Sequence, residues 1–146
     1  MNLLKGMGIN MPGYNNVTSD LGKTTLSSLK GAEAEQIALE YLVEKGLVLL
    51  TRNFSTRRGE IDLVMNDGDH LVFVEVRFRQ SATFGSAEES ITKKKCLRLT
   101  AAALGYMQVN ELSNQVQARF DAVTVKPDKN RSPGYSVNWI KNILAD

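Results

Sequence analysis

With 146 residues, 42% of them hydrophobic and 23% charged, the chain suits one domain with a modest core, and its net charge of +2 names no partner by itself. Its one cysteine, Cys96, excludes an intramolecular disulfide and fits a reducing, cytoplasmic setting. No apolar run nears the length of a membrane span, so no membrane association is expected.

Residues 1–30 are rich in Gly, Asn, Ser and Thr without periodicity and read as a flexible N-terminal tail, followed by a domain over 31–146. Glycines interrupt the stretch from Met1 to Met11 and no cleavage site follows, so no signal peptide is expected. Gly22-Lys23-Thr24 resembles the end of a phosphate-binding loop. Position 17, where that motif needs glycine, is Val17, and no strand precedes it, so nucleotide binding is excluded.

From Gly31 to Lys45, Ala34, Ile37, Ala38, Tyr41 and Leu42 make one stripe at helical spacing. Glu33, Glu40 and Glu44 lie on the solvated side, whereas Glu35 falls at the border of the stripe. From position alone, a border charge on a surface helix is the plainer reading of Glu35. Gly46 ends the helix, and Leu47 to Phe54 reads as a strand.

The stretch from Gly59 to Arg79 reads as a β-hairpin, two apolar runs around an Asp-Gly turn signal, with one acid inside each strand: Asp62 between Ile61 and Leu63, and Glu75 between Val74 and Val76. Acids in apolar runs need partners. A two-residue loop at Asp67-Gly68 makes Asp62 and Glu75 diagonal neighbours on one face, roughly 7–8 Å apart at the backbone. A four-residue loop from Asp67 to His70 sets them directly opposite, and an odd loop separates them onto two faces. In the even registers Ile61, Leu63, Val72, Val74, Val76 and Phe78 form one dry face, with an acidic face behind it.

Helix signals resume at Glu88 and Glu89 and run to about Met107, with Ile91, Leu99, Ala102 and Tyr106 as the stripe. Lys95 falls within that stripe, where a lysine either snorkels to water or carries charge into a site. Arg119 to Val125 reads as a strand, and Tyr135 to Leu144 as a closing element of open type. The order α-β-β-β-α-β implies an α/β fold, a mixed sheet flanked by helices.

The sole histidine, His70, lies in the hairpin turn, which leaves no nucleophilic triad with Cys96 and too few soft ligands for zinc. A paired-carboxylate glycosidase lacks the aromatic cleft it needs. A hard-cation site remains: Asp62, Glu75 and the carbonyl of Val76 are oxygen donors suited to Mg2+ or Mn2+. Arg57, Arg58, Arg77, Arg79 and Lys95 lie near enough in sequence to hold a phosphate backbone. The alternative is a surface ion-pair network of the two acids with Arg77 or Arg79.

Gly31-x-x-x-Glu35, Arg52-Asn53, Gly59-Glu60-Ile61-Asp62-Leu63, Phe73-Val74-Glu75-Val76-Arg77, Lys95-x-x-Arg98-Leu99 and Arg119-Phe120-Asp121 occur in this order. Together they resemble the bacterial YraN-like family of unknown function, over roughly Gly31 to Val125. That family in turn resembles the PD-(D/E)XK nucleases, with archaeal Holliday-junction resolvases near in fold. The resemblance implies a restriction-endonuclease-like αβββαβ core. It assigns an acid role to Glu35, metal ligation to Asp62 and Glu75, and a supporting basic role to Lys95. It leads to the expectation of a Mg2+- or Mn2+-dependent DNA endonuclease, with branched or damaged DNA as candidate substrates and a homodimer as a candidate assembly. Arg57, Arg58, Arg79, Lys93, Lys94 and Arg98 are the expected nucleic-acid contacts. Arg77 stands where the superfamily pattern has lysine; it stays protonated and cannot serve as a general base. A DNA-binding protein with a nuclease fold but little or no cleavage is the alternative.

Overall fold

The computed structural model describes residues 31–79, 92–113 and 115–144. The expected tail, and the helix signals at Glu88, Glu89 and Ile91, lie outside the described residues. The elements are α1 (Gly31–Glu44), β1 (Val48–Ser55), β2 (Glu60–Asp67), β3 (His70–Phe78), α2 (Lys93–Val109), β4 (Gln117–Pro127) and β5 (Tyr135–Ile140). The expected order holds, and the closing element resolves as a strand antiparallel to β4.

The strands form one mixed sheet in the order β1-β2-β3-β4-β5. Pairing is antiparallel except between β3 and β4, which run parallel and are joined through α2. Helix α1 covers one face: Ala34, Ile37, Ala38, Leu39 and Leu42 pack with Leu63, Met65, Val72, Val74, Val123 and Val125. Helix α2 covers the other, where Leu99, Ala102, Ala103 and Tyr106 pack on Ile61, Val64, Leu71 and Phe73. Tyr106 anchors α2 edge-on against both Phe54 and Phe73, at 5.2 and 5.8 Å between centroids. Burial on both faces explains the apolar run Leu71–Val74 of β3.

Local chemistry sets the ends of the helices. Gly46, at φ 98°, stops α1 while Leu47 N–H reaches back to the Leu42 carbonyl at 3.0 Å. Thr92 caps α2, its Oγ accepting from the Lys95 N–H at 3.2 Å.

The hairpin adopts an even register. Asp67 pairs with His70 and Leu63 with Val74, so the turn is Gly68-Asp69, with Gly68 at φ 60°. This is the directly opposed alignment, and it places Asp62 across from Glu75.

The single dry face needs correction. Val72, Val74, Val76, Phe78 and Leu63 do lie with α1, but Ile61 packs under α2. Between the pairs Arg52↔Leu63 and Phe54↔Ile61 stand Asn53, at φ 51°, and Asp62. A left-handed residue interrupts the two-residue alternation there. The face carrying Glu75 is also dry along Val64, Leu71 and Phe73, because α2 lies on it. The acids mark the end of that face, not its whole length.

Remote from them, β4 carries a second polar cluster. Asp121 is fully buried and accepts from Arg119 Nε at 3.0 and 3.2 Å, from Trp139 Nε1 at 3.0 Å and from the Asn142 N–H at 2.9 Å. Arg119 also donates to Asp67 at 2.6 Å, tying β4 and β5 to the hairpin.

Candidate metal and nucleic-acid site

The site sits where the sheet forks. Pairing of β2 with β3 ends at Leu63↔Val74, while β1–β2 pairing runs on to Ser55↔Glu60 and β3–β4 pairing to Phe78↔Val125. Asp62 and Glu75 stand at the crotch of this fork. The Val76 N–H donates to Asp62 Oδ2 at 2.8 Å and spans the gap. A strand residue's N–H and C=O point to the same side, so the Val76 carbonyl also faces the fork.

Glu75 is 6% exposed and carries two cations: Arg77 Nη2 donates to its Oε2 at 3.0 Å, and Lys95 Nζ to its Oε1. Arg77 reaches Glu75 because residues two apart on a strand share a face. Lys95 descends from the first turn of α2 and is 47% exposed. Both sequence readings of Lys95 therefore meet in one residue, a wet stem with its charge on a buried carboxylate.

Burial pushes the Asp62 carboxyl up to about 6; the Val76 N–H opposes this, and the negative charges of Glu35, Glu75 and Glu60 add to it. Glu35, on α1, is thus within the electrostatic reach of Asp62. Because the folded-state value lies above the unfolded 3.8, the folded chain holds the proton more tightly. The associated stability is full below about pH 4 and is lost as pH rises through about 6, up to about 3 kcal/mol in all. Asp62→Asn keeps a side-chain oxygen for Val76 and removes the charge. It should raise stability at pH 8 and leave it nearly unchanged at pH 4, as read by urea unfolding at both values.

The loop between β1 and β2 builds one wall. Thr56 Oγ accepts from the N–H groups of Arg58 and Gly59, both at 3.1 Å, and Thr56 N–H donates to the Gly59 carbonyl at 2.8 Å. This presses Gly59 onto α2: a Cβ there would sit 2.2 Å from the Arg98 carbonyl oxygen. Arg57 and Arg58 on this loop face Lys94, Lys95 and Arg98 on α2 across a cleft of about 760 Å³. Asp62, Glu75, Val76 and Glu60 also line it.

Of the expected residues, the cleft does not include Glu35, Arg77, Arg79 or Lys93. Arg77 acts on it through Glu75, and Glu35 through its charge. Lys93 opens α2 on the exposed surface, and Arg79 follows β3, its N–H bonded to Val125. The sequence reading assigns no site role to the wall residues Thr56 and Glu60; the Thr-x-x-Gly spacing is the available signal.

The profile of the Uncharacterised protein family UPF0102 matches residues 34–125. The chain belongs to the UPF0102 family. It is 39% identical over 118 residues to a UPF0102 protein of Vibrio cholerae serotype O1, covering 80% of this chain and 93% of that one. It is 42% identical over 113 residues to one of Nitrosococcus oceani, covering 77% and 89%. A Legionella pneumophila UPF0102 protein is 40% identical over 113 residues, covering 77% and 92%. The YraN-like resemblance is thereby confirmed. The UPF0102 match runs from α1 through β4 and contains both walls of the fork; β5 lies beyond it.

The donor set of this UPF0102 site suits a hard divalent ion, since Asp62, Glu75 and the Val76 carbonyl offer only oxygen. Among the described residues no three of His, Cys, Asp and Glu come together to hold an ion. Magnesium, which keeps several waters and uses one or two carboxylates, fits two acids. Binding through Glu75 Oε1 requires Lys95 to leave that oxygen. No described helix is long and apolar enough to cross a membrane.

Proposed function

We propose that this chain is a cytoplasmic, metal-dependent DNA endonuclease that hydrolyses phosphodiester bonds, with branched or damaged DNA as its candidate substrate. One observation carries the reading: two carboxylates, Asp62 and Glu75, line the same cleft as Arg57, Arg58, Lys94, Lys95 and Arg98. Asp62, whose carboxyl is pushed up to about 6 by burial and by the charges of Glu35, Glu75 and Glu60, is suited to receive a cation. Basic walls supply a phosphate track.

Asp62 and Glu75, with the Val76 carbonyl, would hold Mg2+ or Mn2+. When bound, the ion supplies Lewis acidity toward a phosphate oxygen. The chain's own residues do the positioning. Arg57 and Arg58 hold the strand from one side, and Lys94 and Arg98 from the other. Arg77 fixes the Glu75 carboxylate. Lys95, released from Glu75, has the reach and charge to meet a phosphate. Arg77 accepts no proton, so no base is assigned to it.

A second reading, DNA binding with little or no cleavage, draws support from the same carboxylate: both Glu75 oxygens already face cations. Nicking of supercoiled and branched DNA at low salt separates the two. Native protein should cut with magnesium, Arg77→Lys should change the rate by less than about tenfold, and Glu75→Gln should lower it by at least about 100-fold. Binding without cutting by native protein would leave the second reading in place, and absence of both would remove both.

A further inference from the structure

Among the described residues nothing covers the outer face of helix α2. Leu97 and Leu104 are 64% and 63% exposed, one on each side of Ala101. A groove of about 600 Å³ runs beside them, lined also by Thr100, Ala101, Gly105 and Gln108 and by the basic Arg58, Lys94 and Arg98. The spacing of Leu97, Ala101, Leu104 and Gln108 is four, three and four, the seam of one helix lying against another. Tyr106 and Leu99 face the core instead, so among the described residues this seam takes no part in it.

Charge on the helix is polarised. Lys93, Lys94, Lys95 and Arg98 occupy its first half, no acid occurs from Lys93 to Val109, and the last turn has no basic residue. Just past the C-cap Asn110 stands Glu111, which is exposed, as is Lys94. A second α2 packed parallel would set basic half against basic half. Packed antiparallel, each basic half meets the other's neutral half, its carbonyl dipole end and Glu111.

We propose that this face is the interface of a two-fold homodimer in which two α2 helices pack antiparallel. One register satisfies size and charge together. Centred between Ala102 and Ala103, it sets Ala101 against Leu104 of the second copy, Leu97 against Gln108, and Lys94 against Glu111. Small meets large, and each contact occurs twice, as an isologous interface requires. Thr100 and Gly105 let the backbones approach. A helix of 17 residues is only about 25 Å long, so the contact falls short of the ~800 Å² per partner of a standard interface. The dimer is therefore weak and concentration-dependent. The contact shares Lys94 with the proposed phosphate wall, but its test uses neither metal nor DNA, so its failure and that of the nuclease reading are distinguishable.

Sedimentation equilibrium of the full chain from about 1 to about 500 μM brackets the weak affinities that small interfaces give. The mass should rise from 16.2 kDa toward twice that value. Leu104→Glu, at a position already 63% exposed, should weaken association at least tenfold with an unchanged circular dichroism spectrum. Glu111→Lys should weaken it as well, and adding Lys94→Glu to Glu111→Lys should restore it. These last two exchanges lie on the exposed surface, so their result stands even if Leu104→Glu disturbs folding. A native chain that stays at 16.2 kDa throughout would overturn the proposal. So would a dimer that Leu104→Glu leaves untouched, or a charge swap that restores nothing.

Discussion

Asp121→Ala should cost about 3–5 kcal/mol, a large part of the stability of a domain this size. Asp121 is fully buried, and its two oxygens receive Arg119 Nε, Trp139 Nε1 and the Asn142 N–H. Alanine leaves the indole and amide donors without their acceptor, and leaves the charge of Arg119, 14% exposed, with Asp67 alone. Asp121→Asn should fare little better. One of its two positions becomes an NH2 group pointed at groups that donate. Urea unfolding followed by tryptophan fluorescence measures both, since Trp139 is the only tryptophan and bonds to Asp121 directly. A loss below about 1 kcal/mol for Asp121→Ala would show that the cluster is not what fastens β5 and the hairpin to β4.

Gly59→Ala should disrupt the site more than the fold. The added methyl would lie 2.2 Å from the Arg98 carbonyl oxygen and 2.8 Å from its carbon, both backbone atoms of a helix. Neither can rotate away, so the Thr56–Gly59 loop or the first turns of α2 must move. Overpacking of this kind costs about 1–3 kcal/mol. The displacement separates Arg57 and Arg58 from Lys94 and Arg98, the two walls of the cleft. If the basic walls hold DNA as proposed, its affinity should fall at least tenfold at a temperature where the variant remains folded, as measured by fluorescence anisotropy beside a circular dichroism melt. Unchanged affinity and melting temperature would mean that the close approach of loop and helix is dispensable.

The hairpin was the most legible part of the chain because parity is a strong constraint. Any even loop puts Asp62 and Glu75 on one face, and the Gly68-Asp69 turn selected the direct opposition. Strand alternation fails at Ile61, beside the left-handed, non-glycine Asn53 of β1, and no local pattern announces that. Periodicity also cannot tell what covers a face. Val64, Leu71 and Phe73 alternate with the dry positions and read as part of an acidic face, yet α2 returns over them. The Asp121 cluster joins residues 18 and 52 positions apart, beyond the reach of any local reading. Glu35 shows the same limit from the other side: its helical position favoured a plain surface charge, and only the packing of α1 on the sheet brings it within reach of Asp62.

Asp62 and Glu75 are proposed to form a receptor for a divalent cation at the fork of the sheet. Crystals soaked in manganese at pH 8, where Asp62 is ionised, test it most directly. The account predicts an anomalous peak between the two carboxylates, with the Lys95 ammonium withdrawn from Glu75. A fork with no peak, and with Lys95 still seated on Glu75 at saturating manganese, would contradict it.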